Sequence, residues 1–449
     1  MQALKIKKGP ILLPLALLAL VLVLYTVLHF QGNSAARSVE LGRQYLNDLD
    51  YSSAVAAFTE AIALDPGDAE ARVGLAQAYA GEGEYGFAQQ VLEPVVYTER
   101  PEEDSVLQMI ELLRQSGQLT KAVQLAQTLI DQTDDEAYYT LRSELMSELY
   151  STARPVAQGF DQTLLVRDGQ LYSKGDNVLG ELGTLPQSTV TMQQFASAQF
   201  TGTPLRVHCA GRTSYVLDTS GTLWAAGENR WGQMSQGYSI TAPRSGWQQV
   251  LTAGTVADMA GTTGRLLVLQ TDGTLWTAGA GSDQHLTRLR RIPTAVRVGA
   301  DDYRAVVLST DGQLYESDAA EPDTWRTVAS GVADFTITDD GLCWVGQDGS
   351  IHSDSYSFYV PDSWYDENGN VEPDRTVCTL ASTGSLTLLV TPGGVLCRLP
   401  GDGTVQEIET ASPVKSLYGE GDMLVLVYED GSAQYWQDGA AAPQDIALL

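Results

Sequence analysis

SYVLDTSGTLWAAG at residues 214–227 and LLVLQTDGTLWTAG at residues 266–279 decide the fold. Each is an apolar run, a tight turn with Gly, and a second run holding an aromatic, which is the pattern of a β-hairpin. The same pattern recurs as TLLVRDGQLYSKG (163–175), AVVLSTDGQLYESD (305–318), LCWVGQDGSIHSDS (342–355), TLLVTPGGVLCRLPG (387–401) and LVLVYEDGSAQYWQDG (424–439), seven copies in all. The Asp-Gly and Ser-Gly pairs suit a two-residue turn, where Gly takes positive φ at no steric cost. The turns lie 37 to 52 residues apart, about the length of one four-stranded propeller blade. WQQVLT (247–252), WRTVAS (325–330) and VQEIET (405–410) are candidate outer strands. One such sheet cannot bury both faces, whereas seven in a ring bury a continuous core and leave few free edges. Residues 155–449 are therefore read as an all-β, seven-bladed propeller.

Upstream, the period changes. Leu41, Leu75 and Met109 are 34 residues apart, and so are Tyr45, Tyr79 and Leu113. Tyr51, Tyr85 and Leu119, then Ala54, Ala88 and Ala122, keep the same interval. Two amphipathic stretches per period predict stacked helical hairpins over residues 35–150, with AYYTLRSELMSELY (137–150) as a capping helix.

These residues resemble the tetratricopeptide repeat family. Leu41, Gly42, Tyr45, Ala54, Phe58, Ala61 and Pro66 stand at the family's positions in the first repeat. The second keeps Leu75, Tyr79, Gly83 and Ala88 with Leu92 for the aromatic, and the third keeps Gly117 and Ala122. The resemblance implies a concave groove for a peptide or helix, lined by Arg43, Leu46, Glu70, Val73, Gln77, Leu107, Glu111 and Arg114. That set lacks the Lys and Asn clamp with which some members hold a C-terminal carboxylate, so a C-terminal tail is not the expected ligand of this groove. A spacer or self-association surface is the bland alternative.

The β region is similar to the regulator-of-chromosome-condensation repeat family, whose propellers have seven blades. The match lies in SGTLWAAGENRWGQMSQG (220–237), where Trp224, Gly227, Asn229, Gly232 and Gln233 fall on the family's W-G-x-N-x-x-G-Q run; GDNVLGELG (175–183) is a weaker copy. The resemblance implies that these residues are structural, with Gly allowing close packing between blades and Asn capping a turn. The founding member's nucleotide-exchange role on a nuclear GTPase does not transfer to an exported domain. Secreted bacterial propellers of the family that bind other proteins, a β-lactamase inhibitor among them, are the nearer analogy.

The chain has 449 residues, enough for two or three domains. Residues 11–30, ILLPLALLALVLVLYTVLHF, are interrupted by no charged residue except His29 near the end, and twenty helical residues are long enough to span a bilayer. Lys5, Lys7 and Lys8 precede the run and Arg37 follows it, so the positive-inside rule places residues 1–10 in the cytoplasm and the bulk of the chain outside. A cleaved signal peptide is the competitor, but NSAAR (33–37) is a poor cleavage site. The formal charge of −29 argues against nucleic-acid partners and anionic lipid surfaces and keeps an exported protein soluble. This combination of domains points to a bacterial surface protein.

Chemistry is sparse. Cys209, Cys343, Cys378 and Cys397 form no C-x-x-C pair and are read as buried free thiols, two disulfides being the alternative. His29, His208, His285 and His352 are scattered, and no nucleophile elbow, phosphate loop or dinucleotide fingerprint occurs. No cofactor or catalytic residue is expected. Asp366, Asn368, Asn370 and Glu372 loosely resemble a calcium loop, but the register that puts Gly369 sixth puts Trp364 at the first ligand position, so a solvated acidic loop is expected. Tyr359, Trp364 and Tyr365 make that loop a possible contact surface.

The leading expectation is a non-catalytic, membrane-anchored scaffold for protein partners. The second is a propeller binding cell-wall glycan, with Trp231, Trp247 and Trp364 stacking on sugars if they share one face. The third, a hydrolase, needs two carboxylates 5 to 10 Å apart in a cleft.

Overall fold

A computed structural model of the chain describes residues 34–98, 100–235, 246–250, 254–280, 285–301, 303–318, 321, 324–338, 341–355, 364–365, 376–383, 386–391, 394–399, 404–420, 423–437 and 439–446. The apolar run 11–30 and the calcium-loop candidates Asp366, Asn368, Asn370 and Glu372 lie outside the described residues. No helix among the described residues is long and apolar enough to cross a membrane. The chain divides into two compact units, Met1–Leu112 and Leu113–Leu449.

The first unit is helical: α1 (34–47), α2 (Tyr51–Leu64), α3 (Ala69–Gly81), α4 (Tyr85–Val96) and most of α5 (Glu103–Gln115). The Asp50 and Asp68 carboxylates start α2 and α3 by accepting from the N–H groups of Ser53 (3.3 Å) and Ala71 (3.0 Å), caps worth about 1 kcal/mol each. Phe58 is buried among Val39, Ala54, Ala61, Ala71, Leu75 and Ala78. Its ring lies so close to Gly42 and Gly74 that a Cβ there would stand 2.7 and 2.3 Å from it. The family positions thus work as complementary shapes: two glycines make the slot and one aromatic fills it.

The second unit holds the end of α5, then α6 (Leu119–Thr133), α7 (Glu136–Leu149) and seven antiparallel sheets. The sequence places the boundary between helices and strands at residues 150–155, whereas the compact units part inside α5. The reason is that α6 and α7 dock on the strands: the Gln124 amide, although buried, donates to the Val332 carbonyl at 2.9 Å and accepts from Gln347.

Each sheet is one blade, and its strands run outward in chain order. The first strands of the blades are Val156–Gln158, Pro204–Ala210, Val256–Thr262, Ala295–Ala300, Val332–Thr338, Thr379–Thr383 and Val414–Glu420. Six blades have four strands, and the fifth has three among the described residues. Among the described residues no strand is shared between the first and last blades. Their contact is apolar instead, with Val156 and Leu165 packed on Tyr418, Val425 and Val427.

The seven hairpin glycines, at 169, 221, 273, 312, 349, 394 and 431, all have positive φ. The two-residue turn expected for each forms only in the first blade, where Asp168 and Gly169 both have positive φ and Arg167 pairs with Gln170. The other six are three-residue turns. In the second blade, Gly221 N–H donates to Asp218 O and Asp218 N–H to Thr222 O. The same pair of bonds closes the turns at Gly273, Gly312, Gly349, Gly394 and Gly431. A type I turn followed by Gly in the left-handed region accounts for the extra residue. None of the four cysteines is in a disulfide: Cys209, Cys343 and Cys397 are buried and Cys378 is half-buried.

Candidate functional site

The first strands of all seven blades line a central channel of about 530 Å³. Its wall mixes small or hydroxyl-bearing residues, Gly261, Gly299, Thr336, Ser382 and Gly419 among them, with apolar ones such as Val298, Phe335, Ile337, Leu380 and Leu417. One end is charged. Arg206, Asp258, Arg297 and Asp334 come from blades two to five, and each follows the register shift near the start of its first strand. The shift turns a residue that would alternate into the sheet contact toward the axis. Cations and anions therefore alternate around half of the ring. Arg206 Nη1 is 3.4 Å from Asp258 Oδ1, Arg154 Nη2 is 3.7 Å from Asp258 Oδ2, and Arg297 pairs with Asp334.

The C-terminus of α7 packs at this end. Arg206 donates to the Leu149 carbonyl at 3.3 Å, supplying a cation to the negative end of the helix. Its guanidinium lies over the Tyr150 ring, 4.8 Å from the centroid, and the Tyr150 hydroxyl donates to the Val296 carbonyl. Burial pushes the Tyr150 hydroxyl pKa up and the Arg206 pKa down. Arg297 is pushed down to about 10, by burial first and then by the nearby Arg154.

The other end is open. It is formed by the turns between first and second strands, which carry Gly159, Phe160, Gly211, Asp301 and Tyr303. Phe160 is 55% and Tyr303 76% exposed. Trp231, 43% exposed, joins them from the second blade, where it packs over Gly264 in the corresponding turn of the third. Between the two ends sits His208. The Gly261 N–H donates to its Nε2 at 2.9 Å, and burial lowers its pKa to about 4, so the ring is neutral.

The motif residues hold the second blade together. Asp218 accepts from Trp224 Nε1 at 2.9 Å, and Asn229 Oδ1 accepts from Met234 N–H at 2.9 Å. Gln233 is fully buried and accepts from Trp231 N–H. Gly227 and Gly232 both have positive φ.

The helical groove residues are placed as follows. In the first unit Arg43 pairs with Glu70, Gln77 donates to Gln108 at 2.8 Å, Glu111 is exposed, and Leu46, Val73 and Leu107 are half-buried. Arg114 falls in the second unit, where it meets Glu148 at 2.7 Å.

The three tryptophans named for glycan stacking do not share a face. Trp247 donates to the Ala198 carbonyl and wedges against Gly183 between the first two blades. Trp364 is 3% exposed, packed with Cys343, Val377 and Cys397. Trp231 alone is open to solvent. Their size made them interblade filler, and this removes the stacking platform. Among the described residues lining the channel, Asp301 is the one carboxylate, and no metal-ligand cluster occurs among the described residues. Asp348, Ser350 and His352 meet at the surface, but the Ser350 hydroxyl bonds both partners and the carboxylate does not reach the imidazole. That is the wrong order for a nucleophilic triad.

The charged ring escaped the sequence reading. Its signal was present as single charges in otherwise apolar short runs, PLRVH, VADM, AVRV and VADF, at matching places in four repeats.

A family model described as tetratricopeptide repeat matches residues 48–104. No curated protein matches the chain in sequence. Among solved structures, human WBSCR16 is 16% identical, with 60% of this chain and 85% of that chain covered and a TM-score of 0.49. Yeast RCC1 (Prp20), solved with Kap60, is 14% identical over 65% of this chain and 72% of that chain, with a TM-score of 0.39. PorZ of Porphyromonas gingivalis, a bacterial surface component of the type-IX secretion system, is 10% identical over 66% and 38%, with a TM-score of 0.38. The chain thus carries tetratricopeptide repeats at residues 48–104 and, in its second unit, a seven-bladed β-propeller.

Proposed function

We propose that the protein is a non-catalytic scaffold, anchored in a bacterial cell membrane by residues 11–30 and exposed outside it, that binds protein partners. The observation that carries this reading is the contrast between the two ends of the channel. One packs against α7 through a buried charge network. The other displays Phe160, Trp231 and Tyr303 to solvent. Exposed aromatics around a depression are the side chains that dominate protein interfaces. The helical repeats offer a second surface in Arg43, Leu46, Glu70, Val73, Gln77, Leu107 and Glu111, with Arg114 as a further candidate. Two binding modules on one tether raise the effective concentration of one partner near the other. The charge asymmetry about residues 11–30 supports the outward orientation.

Crosslinking in intact cells tests the reading. The full-length protein should capture a specific protein that a chain ending before residue 155 does not. Capture of wall polysaccharide alone, or of nothing, would count against a protein scaffold.

A further inference from the structure

Among the described residues three ionised groups line the channel, and each already has a partner. Arg154 meets Asp258 at 3.7 Å, Arg297 pairs with Asp334, and Asp301 is 3.1 Å from Arg304. A charged ligand would have to compete with these pairs and would lose its hydration on entry. The unmet hydrogen-bonding groups lie one step further along the strands. Two residues beyond Arg206, Asp258, Arg297 and Asp334, the same four strands carry His208, Ala260, Gly299 and Thr336. All four line the channel. In blade order, two polar side chains thus flank two small ones.

The Gly261 N–H donates to His208 Nε2 at 2.9 Å, while the Gly261 carbonyl is further off, at 3.5 Å. Nε2 is therefore an acceptor, and in the neutral ring the proton sits on Nδ1. That N–H has no hydrogen-bond partner among the described residues and is not enclosed by them, so it is open to the channel that His208 lines. The Thr336 hydroxyl is likewise unpartnered and accessible. Val298, Ile337, Leu380 and Leu417 supply apolar wall around them, and a volume of about 530 Å³ suits a small ligand.

We propose that the channel binds a small uncharged amide on an apolar body, its carbonyl oxygen accepting from His208 Nδ1–H and its body packed on the apolar wall. The Thr336 hydroxyl, which both donates and accepts, meets a second polar atom of the ligand. An amide brings the acceptor that His208 requires and a donor for the hydroxyl. The site lies inside the propeller and does not rest on the scaffold reading. The amide can belong to a free small molecule or to a peptide loop entering from the aromatic mouth, and the two sources differ in bulk.

The test is calorimetric titration of the full-length protein in lipid nanodiscs at neutral pH. The probes are N-benzylacetamide, the blocked peptide N-acetyl-Gly-Phe-Gly-amide, 3-phenylpropionate, N-ethylbenzylamine and ethylbenzene. At least one amide should bind about fivefold or more tightly than the acid, the amine and the hydrocarbon, the difference expected of one neutral hydrogen bond. The tighter of the two amides identifies the source. His208→Phe keeps a ring beside Tyr215 and removes the donor, so amide binding should weaken about fivefold while ethylbenzene binding holds. Thr336→Val keeps the shape of the side chain and removes the hydroxyl. It should weaken amide binding at least about twofold with an unchanged melting temperature, and it decides the matter if the His208 variant fails to fold. Acid or amine binding as tightly as the amides, ethylbenzene binding as well as they do, no amide binding at all, or amide binding untouched by the substitutions would overturn the proposal.

Discussion

Arg206→Met isolates the join between α7 and the propeller. Arg206 is 2% exposed and does three things at once: it pairs with Asp258 at 3.4 Å, donates to the Leu149 carbonyl, and stacks on Tyr150. The methionine keeps an apolar stem of similar reach and removes the charge. At an effective dielectric of about 20, a pair at that distance attracts by about 5 kcal/mol before desolvation is subtracted. Arg154, at 3.7 Å, retains part of the compensation of Asp258. The helix end also loses a charged donor worth about 1.5–3 kcal/mol. A net cost of about 3 kcal/mol follows, at the lower end of the range for breaking a buried pair, or roughly a hundredfold more frequent opening. Unfolding of a two-unit chain is not one transition, so hydrogen exchange resolved by segment is the suitable assay. Protection of α7 should fall about a hundredfold, while that of α2 and α3 should not change. A fall of less than about tenfold in α7 would refute the role given to Arg206.

Three further outcomes follow from particular contacts. Gly431→Ala meets no atom within 4 Å, so only its φ of +83 opposes the change and the cost should be about 1–2 kcal/mol; Gly227→Ala drives its Cβ to 2.2 Å from the Arg212 carbonyl and should cost clearly more in urea unfolding of the propeller. Phe58→Ala empties the slot between Gly42 and Gly74 and should destabilise the helical unit by about 3–5 kcal/mol, read as loss of protection in α2 and α3. His208 has a folded pKa of about 4 against an ordinary 6.5, so the unfolded chain binds the extra proton between those values. Propeller stability should therefore be full above about pH 6.5 and decline as pH falls toward 4, by about 2–3 kcal/mol in total, and His208→Gln should flatten that segment of the stability profile.

The repeats were legible because each copy reuses a local constraint. Gly at every hairpin and Ala at 34-residue intervals mark positions where backbone geometry or close helix approach admits few side chains. Asn229 and Gln233 were legible as structural for a similar reason: their side chains replace backbone partners within one blade. What escaped depends on the ring. Asp258 gains its meaning from Arg206, 52 residues away, and from Arg154 on the segment that follows α7. Gln124 reads as a solvated helix residue until its partner 208 residues on, the Val332 carbonyl, is in place. Turn length likewise escaped, because Asp-Gly fits both a two-residue turn and the third position of a three-residue one. The tryptophans misled because a large aromatic fills an interblade gap as well as it decorates a surface.

The central claim is that the open, aromatic end of the propeller binds protein while the other end is occupied by α6 and α7. Photo-crosslinking residues placed singly at positions 160, 303 and 430 in the full-length protein, activated in intact cells, test it directly. Phe160 and Tyr303 are on the open end, and Asp430 is in a hairpin turn at the opposite end. The account predicts one common captured protein from positions 160 and 303 and none from 430. Capture from 430 alone, or no capture from either aromatic position, would contradict it.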